Sequence, residues 1–242
     1  MAGKWDLTRG GNRKMFVEHA RQLTEYHCVL IDLPGHGSRM DEALGLESAI
    51  KVIIDTVKDH TNIFNGIKPV YVGGSLGGYI GMELLGRHPD LFSAAVIGMA
   101  GQNVGVGRGW KAGLGMMAFK LFIPLLPNIF MLKGLIAQAN KNENISNDMV
   151  NEIALYTGMY FHSGLEQVEI LSNTNPLKQL PNFKGRVLFI NGSLDHRDSE
   201  QLWLKACPNG RLIVYDGADH FFSHDKRFLS RFVQDIRDFL QK

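Results

Sequence analysis

The stretch Pro69–Gly77, PVYVGGSLG, decides the fold of this chain. Its first part, Pro69–Gly73, is an apolar run with the length of a buried parallel strand, and Gly77–Arg87 predicts a helix that ends before a proline. Between them, Gly73–Gly77 matches the pattern G-x-S-x-G. Glycines are needed where a turn is so tight that side chains two residues before and after the serine would clash. We therefore predict that Ser75 projects outward at the end of the strand. The alternative is a glycine-rich turn that only allows close packing.

Apolar runs of strand length alternate with amphipathic segments along most of the chain. The other predicted strands are Cys28–Leu33, Ala94–Gly98, Arg186–Asn191 and Arg211–Tyr215. The other predicted helices are Asn12–Glu25, Glu47–His60 and Arg227–Leu240. Parallel strands are joined by crossover helices that cover both faces of a sheet. The alternation therefore predicts an α/β protein with a mostly parallel sheet and flanking helices.

Residues 101–180 interrupt this alternation, since they contain no clear strand and hold five of the ten methionines. We interpret them as a helical cap inserted between two parts of the core, residues 1–100 and 181–242. Such a cap would lie over the carboxyl ends of the strands, where open α/β sheets bind ligands. Its apolar residues Phe122 and Met131 are candidate contacts for a hydrophobic substrate. The alternative is that they form the cap's own core.

Composition excludes several classes of protein. The 26 Lys and Arg residues are nearly balanced by 24 Asp and Glu residues, and no basic run is present, which argues against a nucleic-acid partner. Two cysteines cannot form a disulfide framework for 242 residues. The start of the chain contains no apolar secretory signal, and prolines and lysines interrupt the most apolar stretch. We therefore expect a cytoplasmic protein without a transmembrane segment. The sequence contains no signal for an oligomeric state.

The hydroxyl of Ser75 is a weak nucleophile that needs a base, and the base needs an orienting carboxylate. Asp195 and His220 follow the fourth and fifth predicted strands. The order Ser, Asp, His is the one found on α/β-hydrolase sheets. Asp198 and His224 are the competing candidates. We favour Asp195 and His220 because each lies closer to the end of its strand.

Four motifs in this order resemble the α/β-hydrolase family, in particular its small monoacylglycerol-lipase-like and peptidase-like members. They are the strand-end motif Asp32–Ser38, the nucleophile elbow Gly73–Gly77, the acid loop Gly192–Asp195 and the histidine loop Gly217–His220. In the first motif we expect Asp32 to accept bonds from loop amides and His36 to be a loop histidine. The resemblance covers Trp5–Lys242, with residues 101–180 matching only as a cap of variable sequence.

The resemblance implies a serine hydrolase of carboxylic esters or thioesters, with a hydrophobic acyl or alcohol group. Ser75 would attack the carbonyl, His220 would carry the proton, Asp195 would orient the imidazole, and the Leu76 N–H would bind the oxyanion. Peptidases, lyases and acyltransferases share this constellation. A different alternative is a catalytically inactive relative that binds a hydrophobic ligand or partner in the cap cleft. No metal-ligand spacing or phosphate loop is present, so we expect no metal and no cofactor.

The start of the chain departs from the family pattern. Family members carry further strands before Cys28–Leu33, and the third of them ends in a loop whose N–H helps to bind the oxyanion. This chain begins at about that loop, so Gly3 is the candidate for the second donor. The third strand would lie between Cys28–Leu33 and Pro69–Gly73. We therefore predict a gap in the sheet there, unless these two strands pair directly or another segment fills it.

Overall fold

The computed structural model describes residues 4–8, 13–64, 66–102, 166–167 and 169–241. Its strands are β1 (Lys4–Thr8), β2 (His27–Ile31), β3 (Val70–Gly74), β4 (Ala94–Gly98), β5 (Arg186–Gly192) and β6 (Gly210–Tyr215). Its α-helices are α1 (Val17–Gln22), α2 (Leu46–Asp59), α3 (Thr61–Phe64), α4 (Leu76–Arg87), α5 (Pro176–Gln179), α6 (Glu200–Ala206) and α7 (Leu229–Leu240). Outside residues 101–180, the predicted strands and helices therefore all occur, with ends shifted by a few residues.

The strands are parallel to their paired neighbours and fall into two hydrogen-bonded groups, one of β1 and β2 and one of β3 to β6. Strands β3, β4, β5 and β6 pair in that order, and each pair is parallel. Strand β1 pairs in parallel with β2 and also contacts β3, so it lies between these two strands. The carboxyl ends of parallel strands meet at one edge of the sheet, and this edge carries the loops that follow β3, β5 and β6.

Of the alternatives for the place between β2 and β3, the structure has the one in which another segment fills it, and that segment is Lys4–Thr8. In sequence this segment alternates Trp5 and Leu7 with polar residues, whereas the other strands are continuous apolar runs. Its alternating pattern and its length of five residues make it a weak strand signal. The register places Lys4 opposite His27 and Thr8 opposite Ile31.

Helices cover both faces of the sheet, which explains why the strands are apolar on both sides. On one face, Ile50, Ile53 and Val57 of α2 pack with Ile80 of α4 and with neighbouring core residues. On the other face, helix α7 packs against the alternate residues of β3 and β4. Its buried residues are Phe232, Val233, Ile236 and Phe239. The 3.6-residue spacing of these apolar positions is what favours each helix.

Helix α7 begins at Leu229, two residues later than the predicted start at Arg227. The buried Asp225 accepts hydrogen bonds from the backbone N–H of Arg227 at 2.9 Å and from its guanidinium at 2.6 Å. These bonds accompany an extended conformation at Asp225 (φ −74°, ψ 125°). A side chain that bonds the backbone two residues on competes with helix formation, so the helix starts after this turn.

Only part of the predicted cap lies among the described residues. Phe122 and Met131 lie outside them. At the end of the predicted cap, α5 packs against α4 of the core, and Ile170 is buried in the same core cluster. Within the described ranges, no helix is long and apolar enough to cross a membrane.

Candidate active site

Ser75 lies in the turn between β3 and α4, in a left-handed conformation (φ 52°, ψ −122°). Its N–H donates to the carbonyl of Gly98 at 2.9 Å, which ties the turn to the end of β4. A Cβ on Gly73 would lie 2.6 Å from the carbonyl oxygen of Gly77 and against the ring of Tyr71. Glycine at position 73 is therefore what allows β3 and α4 to approach closely enough to place Ser75 in this turn.

The close contact at Gly73 leads to a prediction about stability. Gly73→Ala is expected to lower the free energy of unfolding by about 1–3 kcal/mol, because the new methyl group overlaps backbone atoms that cannot move aside. Urea unfolding measures this change. Gly98→Ala is the matched control at the end of β4, since its Cβ would meet ordinary contacts at 3.7 Å and 4.0 Å. Equal losses in the two variants would contradict the explanation.

His220 and Asp195 complete a hydrogen-bonded row with Ser75. The Nε2 atom of His220 lies 3.0 Å from the Ser75 Oγ. Its Nδ1 atom lies 3.0 Å and 2.9 Å from the two carboxylate oxygens of Asp195. The Asp195 side chain is 3% exposed and that of His220 is 35% exposed. The imidazole is therefore held from behind by a buried carboxylate and reaches the serine with its other nitrogen.

The two competing candidates lie elsewhere. Asp198 is exposed, whereas the nearby Asp195 contacts the imidazole. His224 lies in a 3₁₀ turn with its ring against His19, at 5.3 Å between centroids. Among the four candidates for acid and base, the structure thus brings Asp195 and His220 together with Ser75.

The acid loop and the histidine loop are fastened to each other. Ser193 N–H donates to the carbonyl of Tyr215 at 2.8 Å, and Leu194 N–H donates to that of Ala218 at 3.0 Å. A Cβ on Gly192 would overlap the carbonyl of Ala218, so glycine permits this approach. Because backbone bonds fix the two loops, the Asp195–His220 contact is held by the fold as well as by its own hydrogen bonds.

The backbone N–H of Leu76 is a candidate oxyanion donor. Leu76 is the first residue of α4. The N–H groups in the first turn of a helix have no intrahelical acceptor, and the helix dipole adds partial positive charge there. An N–H group at this position, directly after Ser75, can stabilise a negative charge that develops on a substrate oxygen.

Gly3, the second proposed donor, lies outside the described residues. The strand that follows it starts at Lys4 and ends at Thr8. In a parallel sheet, Thr8 and not Lys4 marks the end of β1 at the edge where Ser75 lies. Gly3 as the second oxyanion donor stays a prediction.

The residues of the Asp32–Ser38 motif support the loop after β2. The buried Asp32 accepts bonds from the N–H of Arg13 at 2.7 Å and from the N–H and Oγ of Ser38 at 2.9 Å and 2.8 Å. His36 is buried with its Nδ1 atom 2.8 Å from the carbonyl of Pro34. Burial lowers the pKa of His36 and so favours the neutral ring. Both residues act as loop supports, as predicted.

A cavity of about 390 Å³ opens beside the Ser75 hydroxyl. Its lining combines polar and apolar groups from all parts of the described site: Ser75, Leu76, Tyr79, Met99, Gln102, Gln167, Leu171, Leu194, Asp195, His196, Asp219, His220 and Phe221. Met99 also has a positive φ of 52°, at the point where the chain leaves β4. Sequence reasoning missed the cavity residues outside the motifs; for Met99 and Gln102, the signal available was their position after a strand end.

Within the described residues, no group of three or more His, Cys, Asp or Glu side chains is arranged to hold a metal ion. The hydrogen-bonded row can generate a nucleophilic serine, move a proton and stabilise an oxyanion.

Comparison with known proteins agrees with the fold. A family model of the alpha/beta hydrolase fold matches residues 8–227. A bromoperoxidase from Bacillus anthracis has a TM-score of 0.81 at 16% identity, with 99% of this chain and 92% of that chain covered. A thermophilic esterase from Thermogutta terrifontis has a TM-score of 0.75 at 15% identity, with 99% and 91% covered. A search of the curated proteins found no match. At these identities the solved structures share the fold, and a shared fold does not select an activity.

Proposed function

The chain belongs to the α/β-hydrolase fold family, and on that premise we propose that it is a serine hydrolase of carboxylic esters or thioesters. The observation that supports this proposal is the hydrogen-bonded row of Asp195, His220 and Ser75 beside an open cavity. A serine in a strained turn with an imidazole at 3.0 Å has the geometry of an activated nucleophile.

In the first half of the reaction, the Ser75 Oγ attacks the carbonyl carbon while its proton passes to the Nε2 atom of His220. The carbonyl oxygen becomes an oxyanion near the Leu76 N–H, and Asp195 stabilises the imidazolium. The bond to the leaving oxygen or sulfur then breaks. His220 gives its proton to that atom, so the alcohol or thiol departs and an acyl group stays on Ser75.

In the second half, a water molecule takes the place of the alcohol. The water oxygen attacks the acyl carbon while His220 accepts a proton from the water. The second tetrahedral intermediate then expels the Ser75 oxygen. The proton returns to Ser75, and a carboxylic acid is released. The sum is one ester or thioester plus water giving one acid and one alcohol or thiol, and the protein returns to its starting state.

The substrate proposed is one with a hydrophobic acyl or alcohol group. Leu171, Leu194 and Phe221 supply apolar surface to the described cavity. The cap assigned to residues 101–180 is proposed to complete the binding surface, with Phe122 and Met131 as contacts. We expect a preference for substrates with a hydrophobic group over smaller ones, because burying apolar surface is favourable by about 25 cal/mol per Å².

Trapping of the acyl-enzyme tests the proposed function. The chain is mixed with a p-nitrophenyl ester in excess, quenched with acid at short times, and its mass is measured. We expect an initial burst of p-nitrophenol and a mass increase equal to one acyl group, located on the peptide that contains Ser75. Turnover without any acylated peptide would contradict the covalent route. Absence of both turnover and acylation across a series of chain lengths would favour the binding-protein alternative.

A further inference from the structure

The acid loop carries an unusual side chain, the leucine directly before Asp195. Leu194 is 71% exposed, and it is one of the residues that line the cavity beside Ser75. Single exposed apolar residues are common on protein surfaces and carry no meaning alone. Leu194 differs because it lies at the mouth of the cavity that holds the candidate nucleophile.

The backbone of Leu194 is fixed. Its N–H donates to the carbonyl of Ala218 at 3.0 Å, and the flanking N–H groups of Ser193 and Asp195 also bond to backbone carbonyls, at 2.8 Å and 3.2 Å. The side chain is therefore presented from a rigid loop. An apolar group held in this way loses little backbone freedom when a ligand covers it.

The proposed chemistry divides the cavity into two sides. The oxyanion must lie near the Leu76 N–H, whereas the leaving atom must lie within hydrogen-bond reach of the His220 Nε2 atom, because it takes its proton there. Leu194 adjoins Asp195, which bonds to the far side of the imidazole, and Phe221 adjoins His220 itself. The Phe221 ring stands edge-on to the imidazole, with 5.6 Å between centroids. Both apolar residues line the same cavity as His220, and each directly adjoins a member of the Asp195–His220 pair in sequence, which favours the side of the leaving group over that of the Leu76 N–H.

From this arrangement, and resting on the proposed function, we propose that Leu194 and Phe221 form a subsite for an apolar leaving alcohol that carries no negative charge. The charges nearby agree with the absence of negative charge. Asp195 and Asp219 both line the cavity, and Asp219 also accepts the N–H of Phe221 at 2.8 Å. Two carboxylates on this side disfavour an alcohol that carries its own negative charge.

Ester isomers separate this subsite from the acyl side. Hexyl acetate places its long chain on the alcohol, ethyl hexanoate places it on the acyl group, and ethyl acetate has neither. Hydrolysis is followed in a pH-stat, and kcat/KM is used because it includes the step in which the alcohol leaves. We expect Leu194→Ser to lower kcat/KM for hexyl acetate about tenfold relative to ethyl acetate. For ethyl hexanoate we expect kcat/KM relative to ethyl acetate to change less than about twofold in this variant.

Leu177→Ser is the matched control, since Leu177 is 45% exposed on α5 and does not line the cavity. This variant is expected to leave kcat/KM unchanged for all three esters. If Leu194→Ser lowers kcat/KM equally for the two long-chain esters, or for neither of them, the proposed subsite is wrong while the hydrolase function stands. If the unaltered chain hydrolyses none of the three esters, the proposed function fails, and the subsite fails with it. The thermal midpoint of Leu194→Ser should stay unchanged, because the side chain is exposed.

Discussion

Replacing Ser75 with alanine is expected to lower kcat for ester hydrolysis by about 10⁴- to 10⁶-fold and to abolish labelling by a fluorophosphonate probe. The variant loses the Oγ atom, which lies 3.0 Å from the His220 Nε2 atom and attacks the carbonyl carbon in the proposed reaction. His220 and Asp195 remain, but without the serine they have no acyl acceptor. Steady-state hydrolysis of a p-nitrophenyl ester and mass analysis after labelling measure the two effects.

Ser93→Ala is the control for this experiment. Ser93 precedes β4, its hydroxyl donates to the carbonyls of Lys68 and Pro69 at 3.1 Å and 3.2 Å, and it does not line the described cavity. It should therefore retain both labelling and turnover. Labelling that persists in Ser75→Ala would show that another side chain reacts with the probe, and the assignment of Ser75 would be wrong.

Most of the sheet was predictable because its central strands β3, β4 and β5 are buried on both faces. Such strands appear as continuous apolar runs, and Ala94–Gly98 is found with the predicted bounds. Strand β1 was missed because its composition alternates and because pairing with β2 is what makes these five residues a strand. Pairing of this kind depends on residues more than twenty positions away, so local pattern alone does not contain it.

The site was predictable to a different extent. The position of Ser75 followed from local sterics, since the G-x-S-x-G turn needs its glycines. The choice between Asp195 and Asp198 depended on a contact with a loop twenty-five residues later in the chain. The apolar surface at Leu194 escaped prediction for a related reason: an exposed leucine in a polar loop has no periodicity, and only its place at the cavity makes it informative.

The second large effect is expected for His220. His220→Gln removes the group that accepts the serine proton and later protonates the leaving atom, while the amide keeps a similar length and no charge. Loss of the base costs about as much as loss of the nucleophile, because the two act as a unit. We therefore expect kcat to fall by about 10⁴- to 10⁶-fold, measured with the same p-nitrophenyl ester, and labelling by the fluorophosphonate to become very slow.

His224→Gln is the matched control for His220→Gln, four residues along the same loop. The His224 ring packs against His19, and its position in the 3₁₀ turn Phe222–His224 keeps it on the side of the loop that faces helix α1. We expect this variant to keep most of its activity, with some loss of stability because a packed ring is replaced. The double variant should then be no less active than His220→Gln alone, since only one imidazole serves Ser75. If His224→Gln were inactive and His220→Gln active, His224 would be the base. Its ring would then have to move away from His19 to reach Ser75, and the arrangement of Asp195, His220 and Ser75 would not be the catalytic one.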